Sequence, residues 1–157
     1  MDFDWGEIGR ILATVTPIII LVLVNVFFRK QREQKTRLEI VRGLLSEINY
    51  NQKLVEAFSF QWQAKKFKTG GWRRNKGKID YIDLGLRTTL AETYEIAEEF
   101  NQAIDTAKKH KSTSYLASIQ VGRLTEPLIR SKQGLEEWLQ LNKGKEKIFK
   151  RSRDLTP

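Results

Sequence analysis

Residues Ile11 to Phe28 are 18 consecutive positions without a charge, and no other feature of the chain restricts its folding as strongly. With Ile8 to Arg10 added, a helix over this stretch is about 30 Å long, which matches the hydrocarbon core of a bilayer. Lipid offers no partner for backbone N–H and C=O groups, so the stretch is expected to form one transmembrane helix over residues 8–28. A cleaved signal peptide would begin with basic residues and end on small ones. Here Asp2, Asp4 and Glu7 come first, and the stretch ends Phe27-Phe28-Arg29-Lys30.

The flanks set the expected orientation. Residues 1–10 hold three acids and only Arg10, whereas residues 29–37 hold Arg29, Lys30, Arg32, Lys35 and Arg37 against Glu33 alone. The positive-inside rule then leaves a short N-terminus (residues 1–10) outside the cell. It places the rest on the cytoplasmic side of a plasma (inner) membrane, with those five cations at the anionic headgroups. Trp5 and the Phe27-Phe28 pair stand where interfacial aromatics are common. Within the stretch, Thr14, Thr16 and Pro17 predict a mild kink, and Asn25 either snorkels or joins two such helices.

Removing the one basic and three acidic residues of the first 28 leaves 27 basic and 16 acidic residues, a charge of +11 beyond the span. The chain contains no cysteine, so disulfides and thiolate metal sites are ruled out and packing must supply the stability. Apolar residues in this part recur at three- and four-residue spacing, which predicts an all-α fold: an antiparallel, coiled-coil-like three-helix bundle over residues 29–142. The first run carries Leu38, Val41, Leu45, Ile48, Val55 and Trp62, broadened by Ile40, Leu44 and Phe58. It is expected to continue the span as one rod to about Lys66, so that residues 36–66 reach about 45 Å from the membrane.

Three glycines between Thr69 and Lys78 predict a loop at which the chain reverses. The second run carries Leu86, Leu90, Tyr94, Ala97, Phe100, Ile104 and Ala107, with Thr88 or Thr89 as its expected cap and Ile79 to Leu84 packed over the bundle end. Lys108 to Ser114 form a second break, with Ser112 or Ser114 as a cap. A third run then carries Tyr115, Leu116, Ile119, Leu124, Leu128, Leu135, Trp138 and Leu139, kinked at Pro127 or divided into two helices. Residues 143–157 are read as a basic flexible tail. Short connections favour antiparallel neighbours.

The usual parts of a catalytic site are missing. There is one histidine, His110, flanked by lysines, and neither a phosphate-binding glycine loop nor a nucleophile elbow. Glu92, Glu95 and Glu99 share a helix face but lack the Glu-x-x-His partners of a bundle metal site, so they read as a solvated face. A non-enzymatic chain without metal or cofactor is expected. In the antiparallel arrangement, Arg29 to Arg37 and Lys108 to Lys111 lie at the membrane end, and Lys65, Lys66, Lys68, Trp72, Arg73, Arg74, Lys76 and Lys78 at the far end. Of these, Lys68, Trp72, Arg73, Arg74, Lys76 and Lys78 form the candidate partner-binding patch, with Trp72 itself expected to cap the core. A protein partner, a second copy of the chain or nucleic acid could meet it.

The sequence Glu47-Ile48-Asn49-Tyr50-Asn51 with Leu54, then Trp72, then Tyr94-Glu95-Ile96 with Phe100-Asn101, resembles uncharacterised prokaryotic single-pass membrane-anchored helical proteins. The resemblance covers the layout of residues 8–140. It implies an N-terminal span and a helical hairpin domain, and it brings no activity, cofactor or catalytic residue. Asn51 and Asn101 are expected to be buried polar partners that fix helix register, as a core Asn does in coiled coils.

Overall fold

The computed structural model describes the backbone of residues 5–61, 63–117 and 119–153, and side chains at 16–17, 19–61, 63–117 and 119–142. Trp62 and the first part of the apolar stretch therefore lie outside the described side chains. The described residues are helical or irregular, with no strand, as the all-α reading requires. The elements are α1 (Trp5–Glu56), α2 (Gly70–Asn75), a 3-10 turn (Lys76–Lys78), α3 (Leu84–His110), α4 (Ser114–Ala117), a second 3-10 turn (Val121–Leu124) and α5 (Thr125–Arg153).

Two compact units divide the chain, Met1–Leu38 and Glu39–Pro157, and α1 contributes to both. In the first unit the apolar side chains from Ile19 to Phe28 are open all round the helix; Leu21 is 68% exposed and Leu23 63%. Among the described residues, no helix is long and apolar enough to cross a membrane. Side chains of the uncharged stretch Ile11–Phe28 are described only from Thr16 onward and not at Ile18.

In the second unit the apolar stripes behave as the spacing predicts. Val41, Leu44 and Ile48 of α1 are buried, as are Leu86, Leu90, Tyr94, Ala97, Phe100, Ile104 and Ala107 of α3, and Leu128, Leu135 and Leu139 of α5. Tyr115 departs from its predicted apolar side: it is exposed and rests beside His110, with ring centroids 5.1 Å apart. Pro127 does not kink the third run, because α5 starts at Thr125 and the first helical turn has no intrahelical acceptor for the N–H that proline lacks. The run is instead divided ahead of it, into α4 and the turn containing Gly122. Helix α5 continues to Arg153, and the side chains of the expected tail, 143–157, lie outside the described residues.

The first helix ends ten residues earlier than its spacing predicts, at Glu56 instead of about Lys66. Phe58 and Phe67 would be about 13 Å apart along a straight helix. Unwinding brings their rings into a parallel stack at 5.9 Å, with Phe60 edge-on to Phe58 and Phe100 of α3 against Phe67 at 5.8 Å. The freed backbone then needs new partners. Asn51 supplies one pair: its carbonyl oxygen accepts from the Lys68 N–H (2.7 Å) and its amide donates to the Lys68 carbonyl (2.8 Å). Asn101 does the same for Phe67, at 2.7 and 2.9 Å. Successive residues of an extended chain point their polar groups to opposite sides, so α1 can hold one residue and α3 the next. The two asparagines thus do not pair with each other to set helix register. Each replaces a missing strand neighbour.

This return segment changes the topology. Along α3 and α5, Thr93 bonds Ser131 (2.9 Å), Leu86 lies against Gly134, and Tyr81, just ahead of α3, meets Trp138 (5.4 Å), so the two helices are antiparallel. Along α1 and α3 the order ascends together: Glu47 meets Tyr94, and Asn51 and Asn101 hold adjacent residues. The expected antiparallel first pair is in fact parallel, because residues 57–83 retrace α1 before α3 begins. Lys68 therefore lies level with Asn51 and Gly71 level with Glu47. Within this unit the chain thus runs back along α1 from the level of Asn51 at Lys68 to that of Glu47 at Gly71, and Lys108 to Lys111 close α3.

Replacing Asn51, which is fully buried, with Ala strips both backbone groups of Lys68 of their partners and is expected to destabilise the fold by about 2–4 kcal/mol. The half-buried Asn101→Ala should cost less, about 1–2 kcal/mol. Urea unfolding of both variants measures this. Their Leu versions should lose stability with no change of oligomeric state, whereas a change of oligomeric state would restore the register role.

Candidate functional site

The corner between α2 and the start of α3 collects side chains from three helices. Thr69 precedes α2 but makes no side-chain capping bond. Glu47, reaching across from α1, takes that role: its carboxylate accepts from the N–H groups of Gly71 (2.6 Å) and Trp72 (3.2 Å), where the helix leaves donors unsatisfied. A Cβ on residue 71 would stand 2.8 Å from the Glu47 carboxyl carbon, so a side chain there would push the carboxylate off the N–H groups it accepts from. The Tyr94 hydroxyl donates to the same carboxylate at 3.2 Å. Its phenol ring stacks on Trp72, with centroids 5.0 Å apart and planes 3° from parallel. Burial, then the neighbouring Glu47 charge and their hydrogen bond, push the Tyr94 hydroxyl well above the ordinary tyrosine range.

Beside this corner lies an open groove of about 450 Å³ walled by Trp72, Ile79, Leu84 and Ala91. Lys76 and Arg87 supply its cations. The structure starts α3 earlier than the Thr88 or Thr89 cap expected from sequence: Asp83 is the N-cap and accepts from the Leu86 N–H at 2.9 Å. Thr88 and Thr89 are inside the helix, with hydroxyls turned back onto the carbonyls of Leu84 and Gly85. The earlier start puts Leu84 and Arg87 one turn apart on the groove. Leu84 is 69% exposed. The Nε of Arg87 is sealed from solvent and has no hydrogen-bond partner, an uncommon state for a group that carries charge.

The predicted patch of six residues is not one surface. Lys68 turns back over the Tyr50 ring, its Nζ 4.1 Å from the centroid. Arg73 pairs with Glu98 of α3 at 2.7 Å, and neighbouring Lys66 with Asp105 at 2.6 Å. Trp72 caps the core on Tyr94 and presents the rest of its ring to the groove. Arg74, Lys76 and Lys78 are exposed, and only Lys76 lines the groove. In the other unit, Arg29, Lys30, Arg32, Lys35 and Arg37 are all exposed, with Arg29 paired to Glu33 at 3.2 Å.

Sequence reasoning missed Arg87 and Glu47 as site residues. Arg87 is the last basic residue before 20 positions without one, ending at Lys108. A lone cation heading an acidic helix is the signal that could have drawn attention to it. Glu47 shows no such signal, because a carboxylate on a helix reads as solvated until the partner backbone is placed.

Ionising Tyr94 would put a phenolate beside Glu47, so the stability that depends on its neutral form is intact below about pH 10 and is lost as pH rises beyond it. Wild-type chain is expected to lose stability above pH 10 more steeply than Tyr94→Phe, measured by urea unfolding at a series of pH values. Below that range Tyr94→Phe should cost only about 0.5–1.5 kcal/mol for its hydrogen bond.

Comparison of the chain with protein-family models, with curated proteins and with solved structures gives no match, so any functional reading rests on the chemistry of these surfaces.

Proposed function

We propose that the chain is a non-enzymatic, membrane-tethered interaction protein: residues 8–28 span the bilayer, and the helical unit from Glu39 onward holds a partner on the cytoplasmic side. The observation that carries this reading is the apolar helix surface open on every side from Ile19 to Phe28. A helix that is hydrophobic all round is stable only where lipid or protein covers it. The flanks add direction, since the exposed cluster of Arg29, Lys30, Arg32, Lys35 and Arg37 suits an anionic cytoplasmic leaflet.

A second reading, a structural or regulatory subunit of a membrane complex, draws on the same open helix together with the exposed Asn25, which could bond laterally to another span. Nucleic-acid binding is the weaker alternative. Three of the cations that would follow a phosphate backbone, Arg73, Lys66 and Lys68, are taken up by Glu98, Asp105 and the Tyr50 ring.

Full-length chain is expected to sediment with membranes and to stay there through an alkaline carbonate wash, with a reporter fused after Pro157 in the cytoplasm. Replacing Leu21 and Leu23 with Lys costs about 2.5–3.5 kcal/mol per site at the centre of a span, and should move the chain to the soluble fraction. Soluble wild-type chain would end the tether reading. A fixed oligomer in detergent, broken by Asn25→Leu, would favour the subunit reading.

A further inference from the structure

We propose that the end of α5, from Leu141 to Arg153, is a second membrane contact: an amphipathic basic segment that lies on the anionic surface of the bilayer holding the span. The inference rests on the reading of the chain as membrane-tethered and adds a lipid-binding site to it. The stripe that packs α5 into its unit, Leu128, Leu135 and Leu139, is buried. Its next positions, 142 and 146, are Asn and Glu, so the core-facing stripe ends at Leu139 while the helix continues to Arg153. Leu141 stands off that stripe and is 79% exposed. Ile148, two helical turns on, shares its face, with Phe149 beside it. Lys143, Lys147 and Lys150 recur on the opposite face at spacings of three and four, with Arg151 next to them. A helix with one apolar and one basic face suits the boundary between headgroups and acyl chains.

Charge and chain direction select the bilayer as the occupant. Residues 143–153 carry six cations and one acid, Glu146. An anionic leaflet offers headgroups to the cations, each of which strengthens binding about fivefold, and an apolar interior to Leu141 and Ile148. A nucleic-acid strand would match the cations and leave those two residues in water. Glu47 of α1 meets Tyr94 of α3, and Thr93 beside it meets Ser131 of α5, so the three helices share one level there. With α3 parallel to α1 and antiparallel to α5, α5 proceeds toward Arg153 in the direction in which α1 is followed back to Glu39. The basic end of α5 therefore leaves this unit on the side at which α1 enters it, and the cations from Arg29 to Arg37 precede that point in sequence. A tether makes the contact intramolecular, so its effective concentration is high and a modest affinity suffices.

The chain has no cysteine, so Ile148→Cys, Leu141→Cys and Leu21→Cys each provide a single thiol for an environment-sensitive nitrobenzoxadiazole label. Each full-length variant is reconstituted into vesicles of phosphatidylcholine alone or of an equal mixture with phosphatidylserine, with spin-labelled phosphatidylcholine as quencher. In the mixed vesicles the labels at 148 and 141 are expected to shift to the blue and to be quenched by the spin-labelled lipid. Both effects should be lost in phosphatidylcholine alone, and at about 0.5 M KCl, where the Debye length falls to roughly 4 Å. Replacing Lys143, Lys147, Lys150 and Arg151 with Gln, beyond the buried stripe of α5, should abolish them too. Leu141→Cys, at an exposed position, decides the matter should Ile148→Cys disturb the helix. The label at 21 should be quenched in both kinds of vesicle. Quenching at 21 with none at 148 and 141 in the mixed vesicles overturns the proposal and leaves the tether standing, whereas no quenching at 21 ends the tether reading and the proposal with it. A blue shift at 148 and 141 without lipid quenching would mean that protein covers this face. That result, equal quenching in phosphatidylcholine alone, or displacement of the labels from mixed vesicles by an equimolar thymidine oligonucleotide would each overturn the proposal.

Discussion

A chain that leaves a helix inside a protein must find new partners for its N–H and C=O groups, and the segment after Glu56 finds them on two asparagine side chains. Asn51 and Asn101 each present a donor and an acceptor, the same pair that a neighbouring strand would offer. Because Phe67 and Lys68 face opposite ways, one asparagine must come from each flanking helix. This requirement brings Asn101 of α3 to the level of Asn51 of α1 through the segment between them. The aromatic stack of Phe58, Phe67 and Phe100 adds apolar area at the same level, so the polar and apolar demands of the segment are met together.

From that level the rest of the unit follows downward along α1. One turn below Asn51, Glu47 takes the backbone of Gly71 and Trp72, which starts α2 without a local cap. Tyr94 binds the same carboxylate and supports the Trp72 ring, so the wall of the groove is held by contacts from both long helices. On the other side of α3, Gly134 lets α5 approach Leu86, and the Thr93–Ser131 hydrogen bond lies in the dry seam between them. Thr93 donates to the Thr89 carbonyl at 2.7 Å, so Ser131 must be the donor in that pair. Every hydroxyl in the seam then has a defined role, which favours one register of α5 on α3.

The three long helices were legible in the sequence because apolar spacing of three and four survives whatever the helices pack against; all seven predicted positions of α3 are buried. The return segment was not. Phe58 and Trp62 continue the helical spacing of α1, and only the stacking of Phe58 on a residue nine positions away reveals that the helix must stop. The parallel course of α1 and α3 was hidden for the same reason: the rule that short connections give antiparallel neighbours assumed a connection of about ten residues, whereas 57–83 is long enough to cross the unit. At the candidate site, Trp72 and Lys76 stood out as an aromatic among lysines. Arg87 becomes informative only when its burial is known, since one arginine on a helix has no periodicity to betray it.

The two surfaces singled out here differ in the kind of order they need. The helix from Ile19 to Phe28 is apolar all round and would be satisfied by any apolar surroundings, so it determines where the chain resides without choosing among neighbours. The groove sets the cations Arg87 and Lys76 beside apolar walls, with the exposed carboxylates of Asp80, Asp83 and Glu92 next to lining residues in sequence, so a purely polar ligand finds no match for the walls and a long polyanion meets like charge. Selectivity of that kind comes from unfavourable terms as much as favourable ones.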